Sequence, residues 1–178
     1  MNPASLATLE RFLSTLKDRR EALQTGVEPG HDDATYTLSY AGALLRRFRL
    51  DPAATGLPAQ LVVIGPTQSG KSTIVNILMG ARGAVPSPLA GYTRYAQGFT
   101  AAPIDDVLEA ALKQQFPRWE RCYDTSPEMA SPDIYALTRV RKSGPLSSRP
   151  LIVWDTPDFD SVSSREYRDI VPEVCAMA

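Results

Sequence analysis

The feature that most constrains the fold of this chain is a glycine loop between a short apolar run and a helix-like run. Residues 61–64 read LVVI, residues 65–72 read GPTQSGKS, and apolar residues recur at helical spacing over Lys71–Met79. A continuous apolar run predicts a strand covered on both faces, as in parallel sheets. Further strand-like and helix-like runs follow to the end of the chain. We therefore predict an α/β three-layer sandwich with a mostly parallel sheet over residues 57–178.

The loop itself fits the pattern G-x-x-x-x-G-K-[ST], which is typical of a phosphate-binding loop. Glycines at its two fixed positions allow a tight turn, so that successive N–H groups and the N-terminus of the next helix converge on an anion. In this pattern the lysine contacts the β- and γ-phosphates and the following hydroxyl binds Mg²⁺. The predicted nucleotide-binding residues are Gly65, Pro66, Thr67, Gln68, Ser69, Gly70, Lys71, Ser72 and Thr73.

A second candidate site follows the apolar run of residues 151–154, where the chain reads Asp155-Thr156-Pro157-Asp158. A carboxylate at the tip of a strand beside the loop strand can hold Mg²⁺, usually through a water molecule. The alternative interpretation is an ordinary turn that begins with an aspartate. Because the phosphate loop is present in the same chain, we favour the metal-site interpretation.

The Asp155-Thr156-Pro157 segment resembles the D-T-P-G switch II motif of translation-factor-type GTPases, which include the Era-like and dynamin-like groups. The resemblance implies a G domain that binds GTP or GDP with Mg²⁺ and hydrolyses GTP. Asp158 departs from the motif because it stands where glycine is expected, and its N–H is the group that would sense the γ-phosphate. The family also has a switch I threonine, for which Thr93 is the candidate and Thr100 the alternative.

The resemblance assigns roles to individual residues. It implies that Lys71 and Thr93 are catalytic, that Ser72, Thr93 and Asp155 hold the metal, and that Asp155 and Asp158 complete the nucleotide site. It covers roughly residues 60–165. The guanine-reading motif N-K-x-D is missing, because Asn2 and Asn76 are the two asparagines and lysine follows neither. We therefore expect the chain to be the N-terminal part of a G domain.

Residues 1–56 are predicted to form a helical hairpin ahead of this domain. Apolar residues recur at helical spacing over residues 6–23 and again over residues 33–50. The hairpin packs against the domain, or it serves as an arm for self-association or partner binding. Residues 103–132 are predicted to be an insertion that contains a helix. Trp119, Cys122 and Tyr123 follow this helix and are predicted to belong to the core of the insertion.

Composition and charge narrow the possible classes of function. A net charge of -1 gives no general argument for nucleic acid, and two distant cysteines suit a reduced, cytoplasmic protein. No apolar run approaches the ~20 residues that span a bilayer. Peripheral membrane contact and a homodimer both remain possible on the sequence. The alternatives to a GTPase are a P-loop ATPase or kinase, and a nucleotide-binding scaffold with vestigial hydrolysis. A Lys71→Ala variant that keeps partner binding would favour the scaffold.

Overall fold

The computed structural model describes residues 2–23, 33–50, 56–80, 95–123, 134–141, 144–157 and 170–178. The helices in these ranges are α1 (Pro3–Leu23), α2 (Asp33–Arg49), α3 (Lys71–Met79), α4 (Asp106–Gln115) and α5 (Ile170–Cys175). The strands are β1 (Ala59–Val63), β2 (Ala96–Thr100), β3 (Glu120–Cys122), β4 (Ile134–Arg139) and β5 (Leu151–Asp155).

The five strands form one sheet in the order β1-β5-β2-β4-β3. β1 pairs with β5 in parallel, and β2 and β3 each pair with β4 in parallel. The pairing of β2 with β5 is antiparallel. The prediction of an α/β fold with a mostly parallel sheet is therefore confirmed.

Side chains of β5 alternate between two hydrophobic cores, one on each face of the sheet. Ile152 and Trp154 belong to the larger core, which α4 and α5 cover. Val153 belongs to the smaller core, together with Val75 and Met79 of α3. All three β5 side chains are fully buried. Helices therefore cover both faces of the sheet at β5, which explains why the sequence of this strand is apolar throughout.

The segment predicted to be an insertion contributes to the main core. The side chain of Asp105 caps α4 by accepting a hydrogen bond from the N–H of Leu108 at 2.9 Å. β3 follows and forms the edge strand of the sheet, where it pairs with β4. Trp119 and Cys122 are buried as predicted, but Tyr123 is 75% exposed, so its assignment to a core was wrong. Residues 124–132 of this segment lie outside the described residues.

The helical hairpin joins the α/β body through α2, since α1 packs along α2 and α2 packs on α5 and α4. Arg46 of α2 is buried at this junction and bonds to three partners. Its Nε donates to Glu10 Oε1 at 2.8 Å, and one terminal nitrogen donates to Glu173 Oε2 at 2.7 Å and to the Gln115 carbonyl at 2.8 Å. Burial raises the pKa of Glu173, and the Arg46 charge opposes that shift. The hairpin thus contacts the body through a buried ionic cluster.

Within the described residues, no helix has the combination of length and apolar character needed to cross a bilayer.

Candidate functional site

Two residues of the loop between β1 and α3 have left-handed backbone conformations. Gln68 has a φ of 59° and Gly70 a φ of 83°, both in the left-handed region. Alternation of right- and left-handed residues forms concave sets of N–H groups that attract anions. The N–H of Ser69 bonds to the Pro66 carbonyl at 3.3 Å, and the N–H of Ile74 bonds to the Gly70 carbonyl at 2.9 Å, where α3 begins. The loop therefore passes directly from a tight turn into a helix N-terminus.

Gly65 allows the two sides of this loop to approach each other. A Cβ at this position would lie 2.5 Å from Ser69 Oγ and 3.7 Å from Lys71 Cγ. An Oγ at 2.5 Å is closer than any real Cβ contact, so a larger residue would push Ser69 away. The first glycine of the pattern thus leaves room for the Ser69 side chain, which would have to turn aside for a larger residue.

The Lys71 side chain folds back over the loop, where it is only 6% exposed. Its Nζ donates hydrogen bonds to the carbonyls of Gly65 and Pro66, both at 3.0 Å. These two bonds fix the ammonium group at the centre of the loop. A positive charge is therefore held beside the loop and close to the N-terminus of α3, whose dipole also favours an anion.

Ser72 and Asp155 are 83 residues apart in sequence, yet they are in direct contact. Ser72 Oγ donates a hydrogen bond to Asp155 Oδ2 at 2.6 Å. Asp155 ends β5, where it is paired with Val63 at the end of β1, so the parallel register places the carboxylate at the loop edge of the sheet. The site residues predicted from the loop and from Asp155 are thus brought together at one sheet edge.

Thr156 is a contributor that the sequence analysis did not assign a role. Its side chain is fully buried, and its Oγ1 donates to the carbonyl of Val63 at 2.9 Å. This bond ties the residue after β5 to the last residue of β1. The sequence did contain a signal for this role, namely a threonine directly after the aspartate that ends a strand. Short polar side chains at such positions often bond to nearby backbone groups.

Two predicted site residues, Thr93 and Asp158, lie outside the described residues. The alternative switch I residue, Thr100, is not near the site. Its Oγ1 donates to the Leu151 carbonyl at 2.9 Å, at the opposite end of β5 from Asp155. Thr100 was therefore a wrong alternative, because strand pairing places it at the other edge of the sheet. Thr73 follows Ser72 in the first turn of α3 and is exposed.

The chemistry of the oxygen donors fits a small hard cation. Ser72 supplies a hydroxyl and Asp155 a carboxylate, and Mg²⁺ prefers oxygen ligands of this kind. No group of three or more His, Cys, Asp or Glu side chains that could hold a metal occurs in the part of the chain that the structure describes. A magnesium ion at Ser72 and Asp155 would need further ligands, and phosphate and water commonly supply several of them for this ion.

No protein-family model matches this chain, and no curated protein is significantly similar to it in sequence.

Proposed function

We propose that this chain binds Mg·GTP at the loop of residues 65–72 and hydrolyses it to GDP and phosphate as a nucleotide-dependent switch. The observation that carries the proposal is the 2.6 Å contact between Ser72 Oγ and Asp155 Oδ2. It unites the hydroxyl that ends the glycine loop with the carboxylate that ends the neighbouring strand. Phosphate-transferring P-loop proteins use this pair to hold their metal.

Each residue of the loop has a defined part in the proposed reaction. The amides around Gln68 and Gly70 bind the phosphate oxygens, and the left-handed conformations of these two residues support this role because such residues are typical of anion-binding loops. Lys71, held over the loop by two carbonyls, stabilises the negative charge that develops on the β- and γ-phosphates. Positioning and charge stabilisation account for most of the catalysis in phosphoryl transfer, and a water molecule is the nucleophile.

Ser72 and Asp155 would hold Mg²⁺ in this reaction. The ion supplies positive charge that offsets the charge of the phosphates and fixes their orientation. The parallel pairing of β1 with β5 and the Thr156 tether keep the two protein ligands at one place. Thr93 is proposed to complete the metal site, and Asp158 is proposed to contact the γ-phosphate region through its N–H.

The preference for GTP over ATP depends on the resemblance of Asp155-Thr156-Pro157 to the switch II motif of GTPases. The test is to measure phosphate release from GTP and from ATP, and the affinity for each nucleotide, with and without Mg²⁺. We expect Mg²⁺-dependent binding and release that favour GTP. Faster release from ATP would instead favour a P-loop ATPase.

Substitution of the metal residues makes this test specific. Asp155→Asn keeps the size of the side chain and removes its charge, so we expect the Mg²⁺-dependent affinity for GTP to fall about 10–100-fold. Asp106→Asn is the matched control, since Asp106 is exposed in the first turn of α4. Equal affinities for the wild type and Asp155→Asn, or GTP binding that is indifferent to Mg²⁺, would contradict the proposal.

A further inference from the structure

The helical hairpin formed by α1 and α2 adds no described residue to either hydrophobic core of the body. The larger core comes mainly from β2, β4, β5, α4 and α5, and the smaller core comes from α3, β2 and β5. The hairpin residues that the structure shows buried are Leu6, Lys17, Ser39, Ala43, Arg46 and Leu50. Half of them are polar or charged, so burial of the hairpin depends little on apolar contact.

The junction between the hairpin and the body buries charged and polar groups. Arg46 of α2 donates to Glu173 of α5 at 2.7 Å and to the carbonyl of Gln115 at the end of α4 at 2.8 Å. The charge of Lys17 on α1 also acts on the Glu173 carboxyl. The side-chain nitrogen and oxygen of Gln115 are buried and have no hydrogen-bond partner among the described residues. Docking of the hairpin therefore takes charged and polar groups out of water, and the cost of this desolvation offsets much of their mutual attraction.

We propose that the hairpin is a detachable arm, which leaves α4 and α5 as a unit while the sheet and its two cores stay folded. Two observations place the break between α2 and the body rather than between α1 and α2. α2 packs far more extensively along α1 than on α5 and α4. Glu10 of α1 bonds to both Arg46 and Arg49 of α2, so these contacts survive the release. Interfaces that are small and polar allow the parts of a chain to move relative to one another.

Release of the arm returns to water the charges that docking buried. Arg46 keeps its bond to Glu10 within the hairpin, and the Glu173 carboxylate becomes hydrated. The hydration that the separated groups regain offsets much of the attraction that they lose. Unfolding of the body has no such compensation, because it exposes the apolar side chains of both cores. Opening of the arm therefore needs less free energy than unfolding of the body.

Thiol labelling under native conditions tests this proposal and does not depend on nucleotide chemistry. Ser39→Cys places a thiol of similar size on α2, where Ser39 is 6% exposed and lies seven residues before Arg46, on the same helix face. Ala111→Cys is the matched control, since Ala111 on α4 is 2% exposed and belongs to the larger core. Peptide mass spectrometry separates these positions from the native Cys122 and Cys175.

We expect the thiol at position 39 to react at least about tenfold faster than the thiol at position 111, because opening of the arm requires less free energy than unfolding of the core. The rate at position 39 should change little in low urea, whereas the rate at position 111 should rise steeply, because unfolding of the body exposes much more surface. Native-state hydrogen exchange of the wild type gives the same comparison between the amides of α2 and those of β5 without any substitution.

Substitution of Arg46 tests whether the ionic cluster holds the arm. In the Ser39→Cys background, Arg46→Ala should raise the labelling rate at position 39 about tenfold or more, since it removes the bonds to α5 and α4. Arg49→Ala is the control and should change this rate by no more than about twofold, because the described ion pair of Arg49 is with Glu10 inside the hairpin.

Two results would overturn the proposal. In the first, positions 39 and 111 react at equal rates with the same dependence on urea, and the amides of α2 and β5 likewise exchange together. The hairpin then opens only when the whole body unfolds. In the second, Arg46→Ala is labelled no faster than Arg49→Ala, so the ionic cluster does not hold the arm. Circular dichroism checks that each variant is folded.

Discussion

Gly144 lies where the turn before β5 crosses the C-terminal end of α3. A Cβ on Gly144 would overlap backbone atoms of Leu78, Met79 and Gly80. The same turn is fixed to α3 by a hydrogen bond from the N–H of Leu146 to the Leu78 carbonyl at 3.0 Å. Because backbone atoms cannot move aside as a flexible side chain does, we expect Gly144→Ala to lower the free energy of unfolding by about 1–3 kcal/mol. Urea denaturation measures this change.

Gly42 offers the matched control for that substitution. It lies within α2, and a Cβ built on it meets no atom within 4 Å. Gly42→Ala should therefore stabilise the protein by about 0.5–1 kcal/mol, because alanine is the better helix former. Similar effects of the two substitutions would show that the close packing of the turn on α3 is wrong.

At the scale of whole elements, Arg46 connects α1, α2, α4 and α5. It is buried and paired with Glu10 and Glu173, and removal of one member of a buried ionic cluster leaves the others uncompensated. We expect Arg46→Ala to lower the free energy of unfolding by about 3–5 kcal/mol. Arg49→Ala is the control, since Arg49 also pairs with Glu10, at 3.2 Å, but is 37% exposed. That pair should contribute only about 0–1 kcal/mol.

The loss of free energy of unfolding caused by Arg46→Ala should also depend on pH. Burial raises the pKa of Glu173 above its ordinary value near 4.5, and the Arg46 charge opposes this rise. Without Arg46 the pKa in the folded state rises further. Below the ordinary value the carboxyl is protonated in both states, whereas at higher pH the folded state must ionise a buried group and loses stability. The destabilisation should therefore grow from about pH 4.5 toward neutrality, and a cost that is independent of pH would contradict the ionic role of Arg46.

Most elements could be predicted from the sequence because their signals are local. Lys71–Met79 was predicted with the bounds that the structure shows, since glycines stand on either side of an apolar helical run. β1 and β5 were predicted from the apolar runs of residues 61–64 and 151–154, with ends displaced by at most two residues. β3 was missed because it is three residues long and includes the charged Glu120 and Arg121. A strand of this kind forms only because β4 provides a partner.

The candidate site was predictable to the extent that it depends on short motifs. The meeting of Ser72 with Asp155 follows from the rule that parallel strands end at the same sheet edge. No short motif predicted the Arg46 cluster, because Glu10 and Glu173 lie 36 and 127 residues from Arg46 in the sequence. These residues meet only because the hairpin packs on the body. Strand pairing likewise decided against Thr100, since the sequence alone does not fix which strand lies beside β5.

At the scale of the whole molecule, the nucleotide site and the helical hairpin are formed by different elements. The nucleotide site lies at the loop edge of the sheet, formed by the ends of β1 and β5 and the start of α3. The hairpin consists of α1 and α2, and α2 packs on α5 and α4.

The measurement that tests the central claim most directly is equilibrium binding of fluorescent GTP in the presence of Mg²⁺, for the wild type and for Lys71→Ala. Lys113→Ala is the matched control, since Lys113 is exposed on α4 and contacts the Trp119 carbonyl at 3.4 Å. We expect Lys71→Ala to weaken binding about 10–100-fold, the effect of losing a charged hydrogen bond, and Lys113→Ala to bind like the wild type. Equal binding by Lys71→Ala, or no saturable binding by wild-type protein that circular dichroism shows to be folded, would contradict the account.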